Sequence, residues 1–192
     1  MPEAPSSAGL RQADASRRRL GRYALVGGSV ALIVVAVTLM VLSNRAQETV
    51  DRVKCRKIMR ALGQACLLYA NENKGQMPRR IEDLMLTQDI SPQIFICPSS
   101  GDSPAAGNTL EERAANLSRG GHLSYVMAPA VPRELLTNGK TVYIFIYEPL
   151  ANHGDGFHAV YSDGQVEFIT GPSANQIQAD LRSGINPPST FR

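Results

Sequence analysis

Four residues able to carry chemistry fall within a short stretch: His153, Asp155, His158 and Asp163. Two imidazoles and two carboxylates are donor types found in transition-metal sites and in hydrolytic centres. Their spacing argues against both. The histidines are five positions apart, and on an extended strand that spacing sends them to opposite faces. Asp163 precedes Gly164, so a turn already accounts for it. Ser162 has no glycine-flanked elbow of the kind that exposes a catalytic serine. No catalytic residue is nominated, and the chain is not expected to be an enzyme. His122 stands alone after Gly120-Gly121 and reads as a loop or strand-edge residue.

The three cysteines are Cys55, Cys66 and Cys97. Cys55 and Cys66 share one predicted helix, where eleven residues rise about 16 Å, far beyond disulfide reach. A bridge, if one forms, ties Cys97 to Cys55 or to Cys66. The alternative is three small buried hydrophobes, a common place for free cysteine.

The elements that must position these residues follow from periodicity. Residues 46–74 read as a long amphipathic helix, with Val50, Val53, Ile58, Leu62, Ala65 and Tyr69 along one stripe, widened by Met59, Cys66 and Ala70. Pro78 forbids its simple continuation. Residues 79–90 predict a short helix, and residues 99–121 a loop with one helical turn within 110–117. The pattern then changes to strands: 123–127, 141–148, 157–161 and 165–169. Both faces of Tyr143–Tyr147 are apolar, which predicts a central or covered strand, with Tyr143, Phe145 and Tyr147 on one face and Ile144 and Ile146 on the other. Asp163-Gly164 predicts a type I′ hairpin turn. A short helix over 173–182 should present Ile177 and Leu181 and stop at Gly184. The last residues, with Pro187-Pro188, should be loose. The fold class is α+β: a long N-terminal helix, a loop-rich middle (78–121) and a small antiparallel sheet (123–170) covering the helix's apolar face.

One stretch dominates the N-terminal part. From Tyr23 to Leu42 no side chain is charged. About 20 such residues, at 1.5 Å each, match the roughly 30 Å of a bilayer's hydrocarbon. Residues 23–44 are therefore expected to span a membrane as one helix, longer than the apolar core of a cleaved signal peptide. Residues 1–22 read as a basic, disordered tail, with five arginines against Glu3 and Asp14. The arginine triplet 17–19 beside the span places the N-terminus in the cytoplasm. The part beyond residue 22 is charge-balanced, which gives no field for nucleic acid; the basic stretch 45–60 suits anionic lipid headgroups better.

Several motifs occur together in order. His153 is followed by nine residues and then Asp163-Gly164; upstream lie Tyr69-Ala70-Asn71-Glu72-Asn73-Lys74-Gly75-Gln76-Met77-Pro78, Cys97-Pro98-Ser99-Ser100 and Ser124-Tyr125-Val126-Met127. This set, behind one membrane helix, resembles the type IV pilin and type II secretion pseudopilin family, in particular prepilin-type proteins with a C-terminal His-x9-Asp-Gly signature (His153, Asp163, Gly164). The sequence departs from that family at the front: Gly21-Arg22-Tyr23-Ala24-Leu25-Val26 lacks the acidic residue that follows the usual processing site.

The resemblance implies a pilin-like fold, an inner (cytoplasmic) bacterial membrane location with the C-terminal domain (45–192) in the periplasm, and a non-enzymatic structural or accessory role in a secretion or pilus-type assembly. Partners would be the bilayer, and like subunits or secretion-system membrane proteins met through the N-terminal helix. Some members hold calcium near the C-terminal sheet, and Glu148, Asn152, Asp155 and Asp163 offer oxygens of that kind; otherwise no cofactor is expected. The simpler role for His153 is a hydrogen bond locking its loop onto the Asp163-Gly164 hairpin. The competing function is a membrane-tethered periplasmic ligand-binding or sensory domain that reuses this shape.

Overall fold

The computed structural model describes the backbone of residues 7–129 and 142–191, with side chains described from residue 32 onward. The chain forms two compact units, Met1–Gln47 and Glu48–Arg192. The fold is α+β, with a long helix and a four-stranded antiparallel sheet.

Helix α1 runs Ser7–Glu72. Of the tail expected to be disordered, residues 1–6 lie outside the described residues and residues 7–22 are helical; after Pro5 no proline interrupts the chain until Pro78, and arginine and alanine favour a helix. In the first unit, residues 32–47 are exposed around the whole helix, and Leu32, Ile33, Val35, Leu39 and Met40 are all more than half exposed. Among the described residues no helix is long and apolar enough to cross a membrane; the expected span 23–44 starts in residues 23–31, whose side chains lie outside them.

In the second unit α1 is the spine. Cys55, Met59, Leu62 and Cys66 are fully buried, at helical spacings of four, three and four that make one face. Val50 and Val53, expected on the same stripe, lie off this face and are about half exposed. The helix ends where Lys74 and Gly75 take positive φ, and the Gly75 amide returns to the Ala70 carbonyl at 2.6 Å.

The middle is held by short elements. Helix α2 spans Glu82–Thr87, shorter than the expected 79–90, and a 3-10 turn spans Pro92–Phe95. Helix α3, Leu110–Leu117, starts with a reciprocal capping box between Thr109 and Glu112.

The strands are β1 (Val126–Met127), β2 (Ile144–Tyr147), β3 (Gly156–Tyr161) and β4 (Val166–Thr170), adjacent in that order. β2 is paired on both sides and wholly buried, as its two apolar faces require. Its faces are not the strictly alternating ones the sequence predicts. Phe145 and Ile146 both join the core around α1, whereas Ile144 and Tyr147 join the core under the C-terminal helix. The cause is a register irregularity: Ile144 and Ile146 pair with the consecutive residues Tyr161 and Val160, so β2 carries one extra residue.

The β3–β4 hairpin also differs in detail. Gly164 has φ 83°, but Asp163 stays out of the left-handed region, so the turn is not type I′. The Gly164 amide donates to the Tyr161 carbonyl, and Asp163 Oδ1 accepts from the Gln165 amide, which is the expected turn role for Asp163.

Helix α4 spans Pro172–Arg182 and buries Ala174, Ile177 and Leu181, and Gly184 follows it at φ 84°. The residues beyond are not loose. Asn186 accepts from the Ile144 amide and donates to the Ile144 carbonyl, and the Ser189 amide and hydroxyl both donate to Asp180. A polar side chain bonding back to buried backbone overrides the mobility that Pro187-Pro188 implies.

Candidate functional site

The residues with chemical capacity converge where α1, the Cys97 turn and the end of β2 meet. From α1 come Glu48, Arg52 and Cys55, spaced so that all three share a face. Cys97 follows the Pro92–Phe95 turn, and its carbonyl accepts from both the amide and the hydroxyl of Ser100. Glu148 directly follows β2, and its amide donates to the His158 carbonyl of β3. His153 closes a 3-10 turn, Leu150–Asn152, and Gly154 after it takes φ 76° with its amide on the Leu150 carbonyl. That bend folds the His153 ring inward.

The geometry is tight. Cys55 Sγ and Cys97 Sγ are 2.7 Å apart, both as free thiols. His153 Nε2 lies 3.6 Å from Cys97 Sγ and 3.2 Å from Glu148 Oε2. One donor atom from each of Cys55, Cys97, Glu148 and His153 lies within 4.8 Å of every other, and all four side chains are buried. His153 Nδ1 faces Glu48 Oε1 at 2.7 Å. Glu148 Oε2 also accepts from the backbone amide of His158 at 3.1 Å and meets its Nδ1 at 3.0 Å, yet Glu148 Oε1 is buried with no hydrogen-bond partner. The neighbouring Tyr125 hydroxyl is likewise buried without one.

Charge explains how these groups coexist. Burial pulls His153 down, but its contacts with Cys97, Glu148 and Glu48 outweigh that and raise its pKa to about 10. Burial pushes Glu148 up, but hydrogen bonds from His153 and His158 prevail and lower it to about 2. For Cys97 the contact with Cys55 lowers the pKa, against burial and with help from His153, to about 6. Cys55 is raised, first by its contact with Cys97 and then by burial. Cys66 is raised to about 12 by burial alone.

Arg52 closes the outer side. It donates to Glu48 at 3.0 Å and to Asp155 at 2.6 Å, and its guanidinium carbon sits 4.5 Å from the centre of the Phe168 ring.

Cys97 meets Cys55, not Cys66, in this cluster. Among the described residues, the polar partners of His153 are Glu48, Glu148 and Cys97, so no hydrogen bond of its ring locks the loop to the hairpin; its ring meets Phe168 of β4 edge-on. His153 and His158, expected on opposite faces, lie with ring centres 5.5 Å apart and share Glu148, because His153 is in a turn and strand alternation does not govern it. The four oxygen donors suggested for calcium do not converge. Glu148 is in the cysteine cluster, the Asn152 amide donates to the Ser124 carbonyl, Asp155 pairs with Arg52 and Asp163 caps the hairpin. His122 is a loop residue whose Nδ1 meets the Ser103 carbonyl. Glu48 and the joining of the cysteines to His153 were missed. The available signal was the donor chemistry: two cysteines, a histidine and a glutamate are ligand types for one borderline-soft ion.

No protein family, curated protein or solved structure matches the chain.

Proposed function

We propose that this protein is a non-enzymatic, membrane-anchored, pseudopilin-like subunit, structural or accessory, of a secretion or pilus-type assembly. Its N-terminus lies in the cytoplasm and residues 45–192 form a periplasmic domain. The observation that carries this reading is the two-part use of α1. From Cys55 to Cys66 the helix buries one face in its own domain, while residues 32–42 expose apolar side chains on all sides. A helix apolar all round needs lipid or other helices to cover it. The α+β layout of a helix packed on a small antiparallel sheet is compatible with a pilin-like fold. The ordered His153, Asp163 and Gly164 signature points the same way.

The test is a photo-reactive residue placed singly at Leu39 or Val53 of the full chain in its native membrane. Adducts with a second copy or with a secretion-system membrane protein are expected. Adducts with lipid alone at both positions would contradict the assembly role.

A further inference from the structure

The structure assigns Cys55, Cys97, Glu148 and His153 to a site for one divalent transition metal of the zinc class, which ties α1 to the sheet. Two thiolates, an imidazole and a carboxylate are donors for a borderline-soft ion and not for calcium. Each comes from a different segment: α1, the turn after residue 95, the end of β2 and the loop before β3.

Three geometric features support an ion here. First, one edge already has tetrahedral length. Zinc bond lengths imply an S–N edge of roughly 3.5 Å, and Cys97 Sγ and His153 Nε2 are 3.6 Å apart. Second, Glu148 Oε1 is fully buried and unpartnered, an unused acceptor on a carboxylate that clusters with both thiols. Third, the outer contacts are those a metal-binding histidine needs. With Nε2 toward the ion, Nδ1–H donates to Glu48, and Arg52 and Ser99 in turn hold Glu48. His158 steadies the other ligand, Glu148.

The fourth feature is a demand the site makes. A tetrahedral ion needs its two sulfurs roughly 3.8 Å apart, against 2.7 Å here. Loading therefore moves Cys97 and Cys55 apart by about 1 Å, replaces the His153 Nε2–Glu148 hydrogen bond, and releases the Nε2 proton and the proton that Cys55 carries to solvent. A disulfide would use the same two sulfurs and exclude the ion, so the two states are mutually exclusive.

The experiment uses the full, untagged chain isolated in detergent without chelator or added reductant. Metal content is measured by elemental mass spectrometry, thiols are titrated, and zinc is exchanged for cobalt. About one zinc per chain is expected, with a sulfur-to-cobalt charge-transfer band and tetrahedral visible bands after exchange. Cys97→Ser and His153→Ala should each lower bound metal at least tenfold, and Cys66→Ala should leave it unchanged. The cobalt spectrum of the unaltered protein decides the matter even if a variant fails to fold. A chain with no stoichiometric metal, no thiolate-to-cobalt band, or Cys55 and Cys97 joined as a disulfide would overturn the proposal.

Discussion

His153 Nδ1 lies 2.7 Å from Glu48 Oε1, joining residues 105 positions apart. Glu48 begins the compact unit that holds the sheet, and His153 belongs to the loop that feeds β3. Arg52 brackets the same loop from α1 through Asp155. The contact thus ties the helix to the loop and orients the imidazole that faces Cys97 and Glu148.

Glu48→Ala should loosen that tie. It removes charge-assisted bonds to His153 and Arg52 on a residue that is one-third exposed. The expected loss is about 1–2 kcal/mol, discounted for solvent. Thermal unfolding of the full chain in detergent, followed by circular dichroism, should shift down by roughly 2–8 °C. Metal affinity should fall roughly 10–100-fold as the histidine loses its outer partner. An unchanged melting temperature would mean that the Glu48 contacts contribute nothing.

Close backbone approaches predict which glycines resist change. A Cβ on Gly63 would sit 2.7 Å from Val160 Cγ1, between α1 and β3. A Cβ on Gly156 would overlap the Ile169 carbonyl oxygen, which is backbone and cannot swing aside. Gly63→Ala should cost about 1–3 kcal/mol, and Gly156→Ala at least as much. Gly101→Ala, which meets nothing within 4 Å, should be close to neutral. Equal stabilities for all three would show that helix and sheet are not packed this closely.

Much of this was legible in the sequence, and what was missed has a common cause. The long helix, the helical turn within 110–117, the hairpin and the C-terminal helix are local patterns of period or turn residues, and each is found close to its expected position. The extra residue in β2 is a matter of pairing with β3, and nothing local to Ile144–Tyr147 marks it. Strand alternation does not place His153, because this residue sits in a turn. The Cys55–Cys97 contact spans 42 positions and the Glu48–His153 contact 105, so no spacing rule connects them.

Asn186 offers a test of the C-terminal segment. Its side chain accepts from the Ile144 amide at 3.1 Å and donates to the Ile144 carbonyl at 2.8 Å. Asn186→Ala leaves both backbone groups of a buried residue without these partners, at about 1–3 kcal/mol for each unsatisfied group. Limited digestion with carboxypeptidase should then remove residues beyond 183 faster than in the unaltered chain. Equal digestion rates would show that Asn186 does not hold this segment.

Anchoring by residues 23–44 with an exported domain is the central claim, and membrane extraction combined with protease access tests it most directly. The full chain should stay in the membrane pellet through alkaline carbonate. Its C-terminal domain should be cut by protease in spheroplasts but not in intact cells, and removal of residues 23–44 should abolish membrane retention. Release of the full chain by carbonate, or a C-terminal domain that stays protected until the inner membrane is broken, would contradict the account.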